Sequence, residues 1–464
     1  MPALSCSRLC ACAGLGLALL VLVPSALADG VDTGSARAIG RAGAALVGDD
    51  GGTALLANPG GLVRRDVWRA QLAVGLHERD LRYRARYENT AASDDLPVIE
   101  DHSAATAAPE LGVQGPVGPV VVGAAYLEPG EIIRELPALS PATGYSGIAI
   151  RFPHRYAGTA LAYREQTLAV GAAIRAGDWL GLGASVGLTR ARLTERRHVW
   201  AGMADREQVG APVRDIAVAT SGSGVALMAA AGALVAPPSL PVELAASVRI
   251  TTGPRVRGTA AASRVGDEAT RPPYPSLELD TPAARASLPP VLVARAGARY
   301  LGERMIVEVA GDLTAPLGSA GTWRVTGVRI TDDTETVAAL DSLPLLLDRQ
   351  THGAMRVAAD VEVVPGFLWL SAGYAYRTRA TPLRRTTPAF ADLGGHTLAA
   401  GAEIYGDDLV LSIGYAHTAP TDRNVTASDL RSTNPFDAGT EAVGLGTYEG
   451  SHDAIGAALE IAWE

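Results

Sequence analysis

One sequence phrase recurs along the chain and decides its fold; Asp407–His417, DDLVLSIGYAH, is a clear copy. Leu409, Leu411, Ile413 and Tyr415 point to one face, and the small or polar residues between them point to the other. A period of two indicates a β-strand, because successive side chains leave opposite faces of an extended chain.

From Val67 onward, fourteen segments follow this pattern. They are 67–87, 107–116, 118–128, 156–175, 178–196, 220–235, 242–258, 288–301, 303–315, 350–363, 366–380, 394–405, 408–419 and 451–463. The connections alternate between short turns and long polar segments, of which 259–287 and 316–349 are two of the longest. Short turns on one side and long loops on the other are typical of a transmembrane barrel. The sequence predicts an all-β fold, a 14-stranded antiparallel transmembrane β-barrel with both ends of the chain on the short-turn side.

The two faces of the predicted strands differ in character. One is a continuous apolar surface, and the other carries Glu243, Arg249, Arg295, Arg299, Glu308, Asp312, Arg356, Asp360, Glu362 and Glu460. The alternative is a soluble sandwich, but these strands are far longer than the roughly 5–6 residues common in soluble proteins. An apolar face turned to lipid and a charged face turned to a filled lumen satisfy the pattern.

The N-terminus has the features of a signal peptide over residues 1–28. Arg8 precedes an apolar core at residues 13–23, and Ala26-Leu27-Ala28 is a small-x-small cleavage site. A retained anchor is the alternative, but the apolar run is shorter than the roughly 20 residues that a spanning helix needs. All three cysteines lie inside this peptide at positions 6, 10 and 12, so we expect a mature chain without thiols.

Residues 29–66 lack the alternation and predict a separate plug, followed by the barrel at 67–464. Asp49 and Asp50 precede a short helix-forming run, where an acidic side chain is a common N-cap, and Asn58-Pro59-Gly60-Gly61 indicates where the helix stops. About 38 residues are too few to fold alone. We therefore expect this segment to occupy a cavity inside the barrel.

The stretch 44–62, AALVGDDGGTALLANPGGL, resembles the N-terminal hatch motif of FadL/TodX-type outer-membrane transporters. Three later stretches, 288–301, 366–389 and 394–417, resemble strand phrases of the same family in the same order. The resemblance identifies a plug motif at Asp49, Asp50, Asn58, Pro59, Gly60 and Leu62. It implies passive transport of long-chain fatty acids or aromatic hydrocarbons through a plugged barrel with a lateral exit, in the outer membrane of a Gram-negative bacterium.

The same resemblance places a cationic contact for a ligand head group near the end of the fifth strand, where Arg190, Arg192 and Arg196 lie. An arginine there would suit a carboxylate. The alternative is a solvated arginine cluster that faces lipopolysaccharide. The expected partners are thus a hydrophobic small molecule, outer-membrane lipid and lipopolysaccharide, and the expected state is a monomer.

Other functions find little support in the sequence. The eight histidines are scattered, and the two Glu-x-x-His pairs, Glu195 with His198 and Glu449 with His452, lie at strand ends or in loops. We expect no catalytic residue, metal site or cofactor. The net charge is −9, and acidic and basic residues are interspersed along the chain. This distribution predicts no nucleic-acid binding. The remaining alternatives are a structural or surface-receptor barrel and a general porin, although a plug argues against an open pore.

Overall fold

A computed structural model describes residues 35–49, 51–64, 66–86, 97–138, 153–201, 214–265, 274–319, 321–332, 334–436 and 441–463. The predicted signal peptide at 1–28 and Asp50 of the predicted plug motif lie outside these residues. No helix in these ranges combines the length and the apolar character that a bilayer crossing requires.

The structure is dominated by strands. They are β1 (Trp68–Ala85), β2 (Val98–Glu100), β3 (Thr106–Val117), β4 (Val120–Glu135), β5 (Ala160–Ala176), β6 (Leu180–Trp200), β7 (Asp215–Val235), β8 (Val242–Thr251), β9 (Arg255–Arg264), β10 (Ser276–Ser287), β11 (Val291–Leu301), β12 (Met305–Pro316), β13 (Thr322–Thr331), β14 (Val337–Ala339), β15 (Ser342–Pro344), β16 (His352–Val364), β17 (Leu368–Arg377), β18 (Gly395–Tyr405), β19 (Leu409–Ala419), β20 (Arg423–Val425) and β21 (Gly446–Trp463). The helices are short: α1 (Ala36–Gly40), α2 (Ala54–Ala57) and 3₁₀ turns at Pro59–Arg64, Pro153–Tyr156 and Leu383–Arg385.

Fourteen of the strands form a closed antiparallel barrel in the order β1-β3-β4-β5-β6-β7-β8-β11-β12-β16-β17-β18-β19-β21. The barrel closes where β1 pairs with β21, from Trp68 opposite Trp463 to Ala85 opposite Gly446. Closure gives each barrel strand a hydrogen-bonded neighbour on both sides, as a lipid environment requires, although β3 and β4 are paired over only part of their length. The predicted fold class and strand count are confirmed.

The outer face of the barrel is apolar around its circumference. Leu72 on β1, Leu188 on β6, Val248 on β8, Val357 on β16 and Ile413 on β19 are all exposed. Their sequence neighbours turn inward, as the period of two predicts.

The predicted long connections 259–287 and 316–349 are largely β-structure, which corrects the sequence analysis. The strands β9, β10 and β13 lie beyond β8, β11 and β12, and pair as β7-β9-β10-β13 at the long-loop end. They make one side of the wall much taller than the membrane-facing barrel. Their outer face is polar, so the sequence does not show the apolar alternation of a lipid-facing strand. Their inner face packs a core that includes the fully buried Trp323.

Residues 35–49 and 51–64 lie inside the barrel. Helix α1 contacts β17, β18, β19, β21 and β1, whereas α2 and the 3₁₀ turn that follows contact the opposite wall, from β4 to β8. The segment therefore reaches across the lumen near the short-turn end.

Candidate functional site: the plug and the cavity above it

The plug approaches the wall so closely that glycine is needed on both sides. A Cβ atom on Gly414 would lie 2.3 Å from the carbonyl oxygen of Ala36, and one on Gly401 would lie 3.1 Å from Cα of Gly40. On the other side of the lumen, a Cβ on Gly60 would lie 2.8 Å from the backbone oxygen of Gly232. Backbone atoms cannot move aside as a flexible side chain can, so these contacts fix how deeply the plug is seated.

Ion pairs tie three plug arginines to the inner wall. They are Arg37–Glu403 at 2.5 Å, Arg41–Glu308 at 3.0 Å, Arg41–Asp360 at 3.2 Å and Arg64–Glu243 at 2.7 Å. Glu308 is fully buried and also accepts hydrogen bonds from the backbone N–H groups of Val47 (2.8 Å) and Gly48 (3.1 Å). One wall carboxylate thus binds two separate parts of the plug, and the charged inner face serves as a socket.

The plug-motif residues divide between the cavity and the wall. Asp49 lines the cavity above the plug, whereas Pro59, Gly60 and Leu62 are buried against the barrel. Asn58 is fully buried. Its Oδ1 accepts a hydrogen bond from the N–H of Gly60 at 3.2 Å, and its Nδ2 donates one to the carbonyl oxygen of Ala233 on β7 at 3.3 Å.

The predicted N-cap is wrong in detail. Thr53 occupies the N-cap position of α2, and Asp49 instead accepts a hydrogen bond from the N–H of Gly51 at 3.1 Å, two residues along. Four residues separate Asp49 from the first helical residue, Ala54, so its carboxylate does not cap the helix. It stabilises the turn that leads into the helix. The predicted stop is confirmed, since α2 ends at Ala57 with Asn58 as its C-cap.

A cavity of about 1560 Å³, including the part open to solvent, lies directly above the plug. Its lining contains Leu46, Asp49 and Leu56 from the plug, Val293, Arg295, Ala310 and Asp312 from β11 and β12, Glu110, Leu127 and Tyr163 from β3 to β5, and Leu347 and Arg349 from the segment before β16. The lining mixes aliphatic side chains with a few charged groups. Such a surface suits a largely apolar small molecule that is oriented by one or two polar contacts.

The arginines of the cavity come from inward-facing positions. Arg295 donates to the carbonyl oxygen of Leu56 at 2.9 Å, and Arg356 is paired with Asp312. The guanidinium of Arg349 lies 5.7 Å from the ring centre of Tyr163. The sequence analysis did not single out these arginines as ligand contacts. They connect the plug, the wall and the segment before β16, which forms the roof of the cavity with Leu347 and Arg349.

The predicted head-group arginines lie elsewhere. Arg190, Arg192 and Arg196 are exposed on the outer face of β6, on the same side as Leu188, and none of them lines the cavity. This placement fits the alternative, a solvated cluster facing outer-leaflet lipid. Their contact with a ligand head group stays a prediction.

The backbone pairing of the wall is interrupted beside the cavity, between β3 and β4. These strands are paired only from Glu110 opposite Leu127 down to Val117 opposite Val120. Above that level β3 pairs with β1 alone, and after a register shift that begins at Leu127, β4 pairs with β5 alone. We call this gap, between residues 106–109 and 128–134, the β3–β4 notch. Glu110 and Leu127 mark its lower end and also line the cavity, so the notch adjoins the cavity.

The top of the notch is closed by polar contacts. The guanidinium of Arg134 lies 2.5 Å from the carboxylate of Asp101, which also accepts a hydrogen bond from the N–H of Glu135 at 3.0 Å. The N–H of His102 donates to the carbonyl oxygen of Glu135 at 2.8 Å. The unpaired stretch is therefore bounded above by these contacts and below by the pairing of Glu110 with Leu127.

A buried polar cluster lies at the long-loop end of the barrel. Asp215 accepts hydrogen bonds from Arg155 at 2.6 Å and from the hydroxyl of Tyr156 at 2.7 Å. Burial lowers the pKa of the neighbouring His154 to about 3, so this imidazole is neutral at neutral pH. Its Nε2 lies 2.7 Å from the carbonyl oxygen of Pro137.

Among the described residues, no three His, Cys, Asp or Glu side chains are grouped as metal ligands would be.

The sequence matches no known family and no curated protein. Solved structures are similar in fold. A FadL homologue from Pseudomonas aeruginosa has a TM-score of 0.69 at 13% identity, covering 95% of this chain and 100% of that one. The toluene transporter TodX from Pseudomonas putida has a TM-score of 0.59 at 16% identity, covering 88% and 93%. The monoaromatic hydrocarbon channel CymD has a TM-score of 0.61 at 11% identity, covering 94% and 98%. The chain therefore has the fold of FadL-type barrels.

Proposed function

We propose that this chain is a passive transporter of hydrophobic small molecules, long-chain fatty acids or aromatic hydrocarbons, in the outer membrane of a Gram-negative bacterium. The short turns face the periplasm and the long loops face outward. The apolar outer belt supports the membrane placement, and the fold neighbours include a toluene transporter and a monoaromatic hydrocarbon channel.

The cavity that adjoins the β3–β4 notch is the observation that carries the proposal. The plug blocks a straight path along the barrel axis. A hydrophobic molecule gains by moving from an apolar cavity into lipid without entering water. We infer that the lateral exit expected from the family resemblance lies at the notch, because the strand pairing of the described wall is interrupted there beside the cavity.

A cross-link across the notch tests this route. Ala107 and Ile133 face outward on its two sides, so the double variant Ala107→Cys/Ile133→Cys can be bridged with a cleavable bismaleimide. The matched control is Ala246→Cys/Ala296→Cys, two outward residues that already face each other on β8 and β11. We expect bridging at the notch to reduce the uptake of labelled toluene or oleate several-fold, with recovery on cleavage, and bridging at the control site to leave uptake unchanged.

Two results would contradict the proposal. Equal uptake by cells with and without the protein would favour the scaffold or surface-receptor alternative. Swelling of protein-containing liposomes in small sugars would indicate a general porin. Unchanged uptake after a verified cross-link at the notch would exclude this exit route. It would not contradict the transport function itself.

A further inference from the structure

Arginines line up across the outer face of the tall wall. In the strand register, Arg192 on β6 lies opposite Ser223 on β7, and Ser223 lies opposite Arg257 on β9. The row continues with Arg257 opposite Arg285 on β10 and Arg285 opposite Arg324 on β13. All four arginines are exposed, and strand spacing gives the row a length of about 19 Å.

The row faces away from the core. The residues next to these arginines in sequence, such as Val256 and Trp323, are fully buried on the opposite face of the same strands. Three of the predicted ligand residues join the patch: Arg192 belongs to the row, and Arg190 and Arg196 lie two positions below it and four above it on β6. Arg255 is exposed on β9, two positions below Arg257.

The row lacks matching negative charge. Within the part of the chain that the structure describes, Arg192, Arg257, Arg285 and Arg324 form no ion pair and no side-chain hydrogen bond. At one end of the row, Arg164, which is opposite Arg192, lies 3.8 Å from the carboxylate of Glu128. Like charges directly opposite each other destabilise a sheet. Three consecutive strands carry such an arrangement here, which predicts an external anion.

Hydroxyl groups flank the row on the side away from the membrane. Thr194 lies opposite Ser221, which lies opposite Thr259, and Thr326 continues the line on β13. Arginine guanidinium groups bind phosphate oxygens through two parallel hydrogen bonds, and hydroxyls can donate to the remaining oxygens. The pattern of arginines and hydroxyls suits phosphate groups spaced along a line.

The height of the row indicates where the phosphates come from. On β6, the exposed Leu188 is followed two residues later by Arg190 and four residues later by Arg192. On β7, which runs in the opposite direction, Ser223 precedes the exposed Val225 and Leu227. The arginines therefore begin where the apolar belt ends, at the level of lipid head groups on the long-loop side. We propose that the arginine row binds the phosphate groups of the outer-leaflet glycolipid, lipopolysaccharide.

This inference rests on the membrane placement proposed above, but its test needs no transport. Full-length protein is purified in detergent free of lipopolysaccharide, and binding of fluorescent lipopolysaccharide is measured for wild type and for Arg257→Gln/Arg285→Gln/Arg324→Gln. The matched control is Arg82→Gln/Arg304→Gln/Arg384→Gln, three exposed arginines away from the row. Heat-modifiable gel mobility confirms that each variant is a folded barrel.

We expect the row variant to bind lipopolysaccharide at least about tenfold more weakly, since three charge-assisted contacts are lost, and the control to stay within about twofold of wild type. Dephosphorylated lipopolysaccharide should not distinguish wild type from the row variant. Wild-type affinity in the folded row variant would overturn the proposal. Displacement of lipopolysaccharide by inorganic phosphate at equal phosphate concentration would also overturn it, because the site would then be one for free phosphate.

Discussion

The two faces of the barrel wall use arginine in opposite ways. On the inner face, Arg41 is almost fully buried and contacts two carboxylates, Glu308 and Asp360. On the outer face, Arg257 and Arg285 lie side by side, exposed and opposite each other in the register. A buried charge needs a protein partner because the interior cannot solvate it. An exposed charge is solvated by water and can bind an external partner. The inner arginines therefore fix the plug, and the outer arginines define a binding surface.

The largest expected effect comes from breaking the inner arrangement. In Glu308→Ala, Arg41 loses its closer carboxylate and two plug N–H groups lose their acceptor. Removing one partner of a buried ion pair costs about 3–5 kcal/mol. We expect a loss of this order in the free energy of unfolding, measured in urea with lipid vesicles.

The matched control lies on the outer face. Glu278 is 70% exposed on its side chain and lies 3.9 Å from Arg329. An exposed pair of this kind contributes about 0–1 kcal/mol, so Glu278→Ala should change stability little. Equal losses in the two variants would show that the socket does not depend on buried charge pairing.

An intermediate effect is expected at the plug motif. Asn58→Ala removes a buried side chain that bonds both the plug turn and β7, which costs about 1–3 kcal/mol in unsatisfied hydrogen bonds. We expect a loosened plug and increased non-specific permeability, measured as antibiotic uptake by cells. Asn424→Ala, at an exposed position on β20, is the control. Antibiotic and substrate uptake that both remain at the wild-type level in Asn58→Ala would speak against the plug as gate.

The smallest effect should follow from changing the outer row alone. Arg285→Gln relieves repulsion from two neighbouring arginines, so in detergent without lipopolysaccharide its stability should equal that of wild type or exceed it by up to about 1 kcal/mol. Thermal unfolding with and without lipopolysaccharide checks this, because the glycolipid should stabilise wild type more than the variant. A clear loss of stability in the absence of glycolipid would mean that Arg285 has a structural role instead.

Much of the barrel could be predicted from local pattern. The alternation in Asp407–His417 predicted β19, and the analogous stretches predicted the other thirteen barrel strands to within a few residues at most of their ends. The alternation of inward and outward residues along β6 also predicted where its arginines lie, which the family resemblance did not. Arg190 and Arg192 share parity with Leu188, and that alone places them on the lipid-facing side.

The β-structure at the long-loop end could not be predicted in the same way. Segments such as Ser276–Ser287 and Thr322–Thr331 have one face in water and the other against a loop-built core, so neither face shows the continuous apolar series of a membrane strand. The cavity could not be predicted from local sequence pattern either. Its roof residues Leu347 and Arg349 meet the plug residues Leu46 and Asp49 only because the chain folds back about 300 residues later.

The sequence by itself determined the strands, their alternating faces and the presence of a plug motif, because side-chain periodicity and turn chemistry act over a few residues. The tertiary structure alone decided the seating of the plug, the parting of β3 from β4 and the alignment of arginines from β6 to β13. Each of these depends on the register between strands far apart in the chain, and register is set by the simultaneous packing of all neighbours.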